Sequence, residues 1–435
     1  MPKATERSKD TKESKELKRQ KKSGEQKEST DSREVAERKI RVDGEIKRRK
    51  NTYYEKVSER YRIFAFAVIL SLVLLAGSLM VIYGEYITYD NFVYLIRDLD
   101  SVKGSSDGFT TVNYTSDTTA IYRSFRNGFA VIGSQNVALY DETGVVLCSE
   151  KEKFSYQNAS TSDKYVLAYD IGGTSYSIYS TVTRVVKKTT DKPIISASVS
   201  NEGSYIVTTE SSDAKYVTEV YNSDFKRTMS IYKDKYVIDS VISKDGGTFA
   251  VASVAEKGSE FFAEVTFYKD GSDSPLATHD YSMTMPIAAA SYDNGSFSVI
   301  FDDCIRFFDS DGKVKSEKYF KDEQVSYFDV RSTGMVLVCE TLSLNGGYTF
   351  MSFDNSGKEI CSANINTKLS GVFAAHKDSS NAGYLINVDG EVSAVTKDGK
   401  LISLAEDKSV KAITDTSSGP IAMTPTKAYL VGGKK

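Results

Sequence analysis

The feature that most restricts this chain is a turn that keeps returning. LYDETGVVL (from Leu139), VYNSDFKRT (Val220), FYKDGSDSPL (Phe267), FFDSDGKV (Phe307), SFDNSGKEI (Ser352) and AVTKDGKLI (Ala394) share one layout: an apolar or aromatic run, then Asp, Asn or Lys with Gly or Ser, then another short run. Two strands joined by a tight turn read this way, because Asp and Asn bond their own backbone and Gly supplies positive φ. FFDSDGKV also has the opening of a calcium loop, with Asp309, Asp311 and Gly312 in order. Lys313 and Lys315 intrude where further oxygen donors would have to follow, so the segment is read as a turn.

Upstream of each turn lies a strand rich in small residues: IISASVS (Ile194), VIDSVIS (Val237), IAAASYD (Ile287), VSYFDVR (Val325), GVFAAHK (Gly371) and VKAITDT (Val410). After most of them come a Gly/Asp/Asn turn and a more apolar strand. Inner strands are expected to begin near Thr119, Gln157, Ile194, Val237, Ile287, Val325, Leu369 and Val410. These spacings of about 37 to 50 residues match the period of a four-stranded propeller blade. Converging blades leave little room near the axis, which accounts for the Ala and Ser residues, and radial closure removes exposed edges. The last unit holds three strands and stops, while FTTVNYTS at 109–116 precedes the first inner strand. That early strand is expected to complete the last blade. The fold class is therefore an all-β propeller over residues 109–435, eight blades favoured and seven the alternative.

Before the repeats, IFAFAVILSLVLLAGSLMVIY (Ile63 to Tyr83) runs 21 residues without a charge. As a helix it covers about 30 Å, the thickness of a hydrocarbon core. A secretory signal would have a shorter apolar run nearer the N-terminus and an A-x-A-like site, so an uncleaved single-pass transmembrane helix is expected over 63–83. Residues 1–62 hold 21 Lys/Arg and 13 Asp/Glu, a net of +8, leaving −11 on the rest of a chain whose total is −3. Lys47, Arg48, Arg49, Lys50, Lys56, Arg60 and Arg62 precede the span, against Arg97 and Lys103 in the twenty residues after it. This asymmetry puts the N-terminus in the cytoplasm and the C-terminal domain outside, at the cell membrane. The expected order is a disordered cytoplasmic tail (1–31), a basic juxtamembrane helix (32–62), the span, a linker (84–108) and the propeller. The lipid bilayer is thus a partner through Ile63–Tyr83. Nucleic acid is not, since acids interleave the basic tail and stacking aromatics are few.

The outer domain resembles the quinoprotein-dehydrogenase-like and WD40-like propellers, and the whole layout resembles an uncharacterised family of single-pass bacterial membrane proteins with such an ectodomain. EYITYDNFVYLIRDL after the span, LAYDIGGTSYSIYS at 167–180 and YVIDSVISKDGGTFAVAS at 236–253 carry the resemblance. It implies a fold and a location and transfers no catalytic residue. Quinoprotein enzymes hold their cofactor with tryptophans and calcium-binding acids, and this sequence has no Trp.

His279 and His376 are the two histidines, and neither has a Cys or His at ligand spacing; His376 is read as a solvated turn residue. Ser-x-x-Lys occurs at Ser212/Lys215, Ser230/Lys233 and Ser310/Lys313, a chance rate for so Ser- and Lys-rich a domain. There is no G-x-S-x-G, P-loop or post-strand G-x-G-x-x-G. Asp302/Asp303 is an acidic pair of the kind a glycosidase uses, read as solvated strand-end residues. Cys148, Cys304, Cys339 and Cys361 lie in or beside apolar strands and are read as buried, unpaired thiols. Sequons at Asn113, Asn158 and Asn294 matter in a host that glycosylates. No catalytic, cofactor or metal residue is assigned, and the ligand residues stay unknown. The expectation is a non-enzymatic binding or assembly platform in the cell envelope, holding an envelope protein, a peptide or a wall polymer at the propeller face. An envelope hydrolase or degenerate quinoprotein, and a transmembrane ligand sensor, are the alternatives.

Overall fold

A computed structural model describes residues 10–83, 111–342 and 346–432. The chain divides into two compact units, 1–91 and 92–435. The expected linker at 84–108 and the first nine residues of the tail lie outside the described residues.

In the first unit one helix runs without a break from Asp10 to Tyr83. It contains the one stretch, among the described residues, that is long and apolar enough to cross a membrane. Residues 10–31 are thus helical, where composition had pointed to a chain without order. Their low apolar content still forbids a packed core, but Lys, Glu, Arg and Gln are strong helix formers, and a helix needs no core to satisfy its backbone. Oppositely charged residues four apart, such as Glu34/Arg38, Glu37/Arg41 and Asp43/Lys47, suit the same conformation.

The second unit is an eight-bladed propeller of eight four-stranded antiparallel sheets. Blades 1 to 7 take residues 121–151, 157–189, 194–233, 236–282, 286–319, 323–365 and 369–406, each strand pairing with the next in sequence. Their innermost strands start at Ile121, Gln157, Ile194, Tyr236, Pro286, Glu323 and Leu369, and that of blade 8 at Ala412, all within two residues of expectation. Blade 8 is composite. Its three C-terminal strands, Ala412–Thr416, Gly419–Met423 and Lys427–Leu430, are completed by Val112–Asn113. Val112 pairs with Ala428 and Asn113 with Lys427, and Tyr114 N–H extends the pairing to Thr426 O at 3.0 Å. The ring closes as the three-stranded last repeat required.

The core is not central. It consists of eight apolar clusters, one between each pair of neighbouring blades. Leu139 of blade 1 meets Val166 and Tyr179 of blade 2, and Phe129 of blade 1 meets Ile421 and Met423 of blade 8 across the closure. The four cysteines are buried, as read from their strands.

The recurring turn joins the third and fourth strands of a blade. Asp309 Oδ1 accepts the N–H groups of Asp311 (3.0 Å) and Lys313 (2.8 Å). Asp354 does the same for Ser356 and Lys358, and Asp141 for Thr143 and Val145. The Asp309 carboxylate therefore caps its own turn. At Asn222 the pattern persists with Phe225 (φ 61°) in the place glycine holds elsewhere. Glycine is required at Gly312 for a second reason besides φ (78°): a Cβ there would stand 2.6 Å from the Phe267 ring of blade 4. Gly172 has similar φ (72°) but open space around it.

Gly312→Ala is expected to lower the stability of the chain by about 2–4 kcal/mol, combining backbone strain with overpacking, while Gly172→Ala loses only about 1 kcal/mol. Thermal unfolding followed by circular dichroism compares the two; equal losses would mean that Gly312 is not a packing position.

Candidate functional site: the propeller axis and its charged crossings

Each innermost strand presents one edge to the axis, and an unpaired edge leaves N–H and C=O groups in need of partners. Polar side chains of the adjoining blade supply them. Ser160 Oγ accepts from Val199 N–H (3.3 Å), Ser198 Oγ from Ile242 N–H (3.2 Å), Asp239 Oδ2 from Ala289 N–H (2.9 Å) and Asp329 Oδ2 from Ala374 N–H (2.9 Å). Asp415 Oδ2 accepts from His376 N–H at 2.9 Å, and the Ser124 and Thr414 hydroxyls join blades 1 and 8 at 2.7 Å. Small and acidic residues in these strands thus lace the blades together, beyond relieving crowding.

Two cations go further and reach past the adjoining blade. Arg331, at the end of the blade 6 inner strand, donates from Nη1 to Asp415 O (2.9 Å) and from Nη2 to Ser124 Oγ (2.8 Å) and Thr414 Oγ1 (3.1 Å), so it reaches blades 8 and 1. Lys244, in the first turn of blade 4, passes blade 3 to donate to Thr161 O of blade 2 at 3.0 Å. Burial lowers the Lys244 pKa, opposed by the Asp163 and Asp293 carboxylates from the corresponding turns of blades 2 and 5. Burial likewise lowers Arg331, opposed by Asp329 and Asp415. Asp239 is the mirror case: burial raises its carboxyl to about 6, although the Ala289 and Ser240 N–H groups partly offset this. Burial also raises Asp329, with the Ala374 N–H, Arg331 and Arg123 pulling the other way.

None of the residues singled out from sequence forms a reactive constellation. His279 Nε2 lies 2.7 Å from Gly312 O, on the rim between blades 4 and 5. His376 opens a turn, closed by Ser379 N–H to His376 O at 2.9 Å, but its side chain is largely buried, and burial and then Arg331 lower its pKa. Asp302 and Asp303 both accept from the Thr284 hydroxyl, at 2.9 and 2.6 Å. Lys233 binds Glu264 and Thr266, Lys215 lies 3.8 Å from the Tyr236 ring centroid, and Lys313 is exposed in its turn. Asn113 and Asn294 are exposed, whereas Asn158 is held between Arg123 and Tyr169. Among the described residues no three His, Cys, Asp or Glu side chains cluster as a metal site would require. Asp239, Asp329, Arg331 and Lys244 were missed. The available signal was a charge inside otherwise apolar inner-strand motifs, VIDSVIS and VSYFDVR.

The mouth opposite those first turns is built by the loops between blades. Tyr156 (75% exposed), Tyr236 (52%), Met283 (62%) and Met285 (46%) stand out from these loops or strand ends, an apolar and aromatic surface over blades 2 to 5.

Two outcomes follow from the buried charges. Arg331→Met removes these bonds and strands Asp329, and should destabilise the chain by about 3 kcal/mol; Arg331→Lys should not restore stability, because its donors radiate from one nitrogen on a shorter stem and do not reproduce the two-pronged guanidinium fork. A folded-state pKa raised above the unfolded value means stability is gained on protonation and lost as pH rises through about 6. Unfolding midpoints should therefore be higher at pH 5 than at pH 7, and Asp239→Asn should flatten that difference. Nearer pH 4 the sign reverses. Burial would raise Glu152, yet bonds from Lys187, Tyr179, Ser177 and Arg184 hold it below its usual range, and that stabilisation is lost on protonation.

The WD40 domain of Sif2 is similar to this chain at 12% identity and a TM-score of 0.50, covering 75% of this chain and all of that domain. The Neurospora crassa Pan2 WD40 domain (8% identity, TM-score 0.44, 75% and 95% covered) and Kuenenia stuttgartiensis hydrazine synthase (12%, 0.43, 65% and 95%) also match. At such identities the first likeness shows the propeller fold alone. No curated protein matches the sequence. The model of a family of unknown function, DUF5711, matches residues 105–421, and the chain belongs to that family.

Proposed function

We propose that this chain is a membrane-anchored, extracytoplasmic β-propeller that serves as a binding or assembly platform in the cell envelope. It holds an envelope protein, a peptide or a wall polymer on the face built by the inter-blade loops. The observation that carries this reading is the exposed set on that face: Tyr156, Tyr236, Met283 and Met285 give it the aromatic and flexible apolar character of protein interfaces. At the axis, by contrast, the inner strands use polar side chains on one another. The anchor reading rests on the uncharged stretch Ile63–Tyr83 and its basic N-terminal flank.

External protease added to whole cells should remove an epitope fused after Lys435, and protection of the epitope would overturn the topology. Crosslinking in the native membrane should recover one dominant envelope protein. Changing Tyr236, Met283 and Met285 to Ser should lower that recovery by roughly tenfold or more, as loss of interface anchors does. Unchanged recovery would move the binding surface elsewhere. Titration with pyrroloquinoline quinone and calcium should give no new visible absorbance; a stoichiometric band would favour an enzyme.

A further inference from the structure

The helix Asp10–Tyr83 carries a second apolar surface besides the span. Val35, Val42, Ile46, Tyr53 and Val57 are each between 47% and 67% exposed. At 3.6 residues per turn they fall within a wedge of about 60°, a stripe about 33 Å long. Lys39 and Arg60 lie on the two edges of that wedge, and widening it to about 120° brings in Arg38 and Lys56. The acids of the same stretch, Glu34, Glu37, Asp43, Glu45, Glu55 and Glu59, all fall in the other two thirds. The helix thus sorts an interleaved, net basic stretch into an apolar stripe edged by cations, with the acids and the exposed Ile40, Tyr54 and Tyr61 lying off it.

We propose that this face docks an acidic amphipathic helix of another protein. Apolar residues at these intervals are what a facing helix covers, and basic borders select carboxylates on the partner. A second copy of this chain does not fit, because parallel copies would set the same cations against one another along the seam. A lipid surface does not fit either. The helix is unbroken between the stripe and the span, so Val57 stands about 9 Å and Val35 about 42 Å beyond the first apolar residue of the span. Only this last exclusion rests on Ile63–Tyr83 lying in a bilayer.

The test uses the full chain in nanodiscs of zwitterionic lipid, titrated with a labelled synthetic helix carrying Leu along its seam and Glu on both borders. Saturable, salt-sensitive binding is expected. The pair Val42→Ser/Ile46→Ser and the pair Arg38→Glu/Lys39→Glu should each weaken it at least tenfold. Arg41→Glu/Arg48→Glu, on the far side of the helix, should leave it unchanged, and a peptide with Lys borders should not bind. Equal loss in the far-side pair, or no loss in the Val42/Ile46 pair, would reduce the binding to general charge attraction and overturn the proposal. A spin label at position 46 decides between occupants. Coupling between labels without peptide would show that a second copy covers the stripe. Immobilisation on adding anionic lipid would show that the bilayer does. Either result overturns the proposal, and the second would also overturn the straight exit of the helix while leaving the platform reading untouched.

Discussion

Every blade is a sheet with two apolar faces, and neither face can be left to water. A single four-stranded sheet has no way to bury both, so each blade depends on a neighbour at either side. The requirement propagates around the ring until it returns to its start, which is why eight clusters of buried residues lie between blades and none sits at the centre. Closure is thus an energetic necessity. It is met by the short strand Val112–Asn113 completing the blade built from the last three strands of the chain.

The axis is the price of that arrangement. Inner strands converge until only small side chains fit, and their free edges must find partners there. Ser160, Ser198, Asp239, Asp329 and Asp415 provide them across the blade boundaries. Charges drawn into this narrow space lose hydration, and Arg331 and Lys244 recover part of the loss by reaching carbonyl and hydroxyl oxygens two or three blades away. The same side chains thus stabilise the ring by bonding one blade to another.

The helix obeys a different constraint. Its basic half has too few apolar residues for a core, yet a helix satisfies its backbone internally, so residues 10–62 take regular structure without one. The result is an exposed surface, sorted by the helical period into an apolar stripe edged by cations.

Local periodicity in the sequence determined the all-β class, the four-strand unit, the starts of the inner strands and the borrowed strand that closes the ring. These follow from turn chemistry and alternation, which act over a few residues: Asp309, Asp354 and Asp141 cap their turns wherever the chain places them. The length and uniform apolarity of Ile63–Tyr83 were equally plain. Tertiary structure alone decided what the inner-strand charges do. Asp239 and Asp329 look like solvated acids in one dimension, and Arg331 gives no sign of a partner at Ser124, 207 positions away. His376 keeps its turn but loses the expected solvation for the same reason, bonding Asp415 of the next blade. Such bonds depend on which blades face each other across a closed ring, and no local pattern encodes a distance measured through its centre.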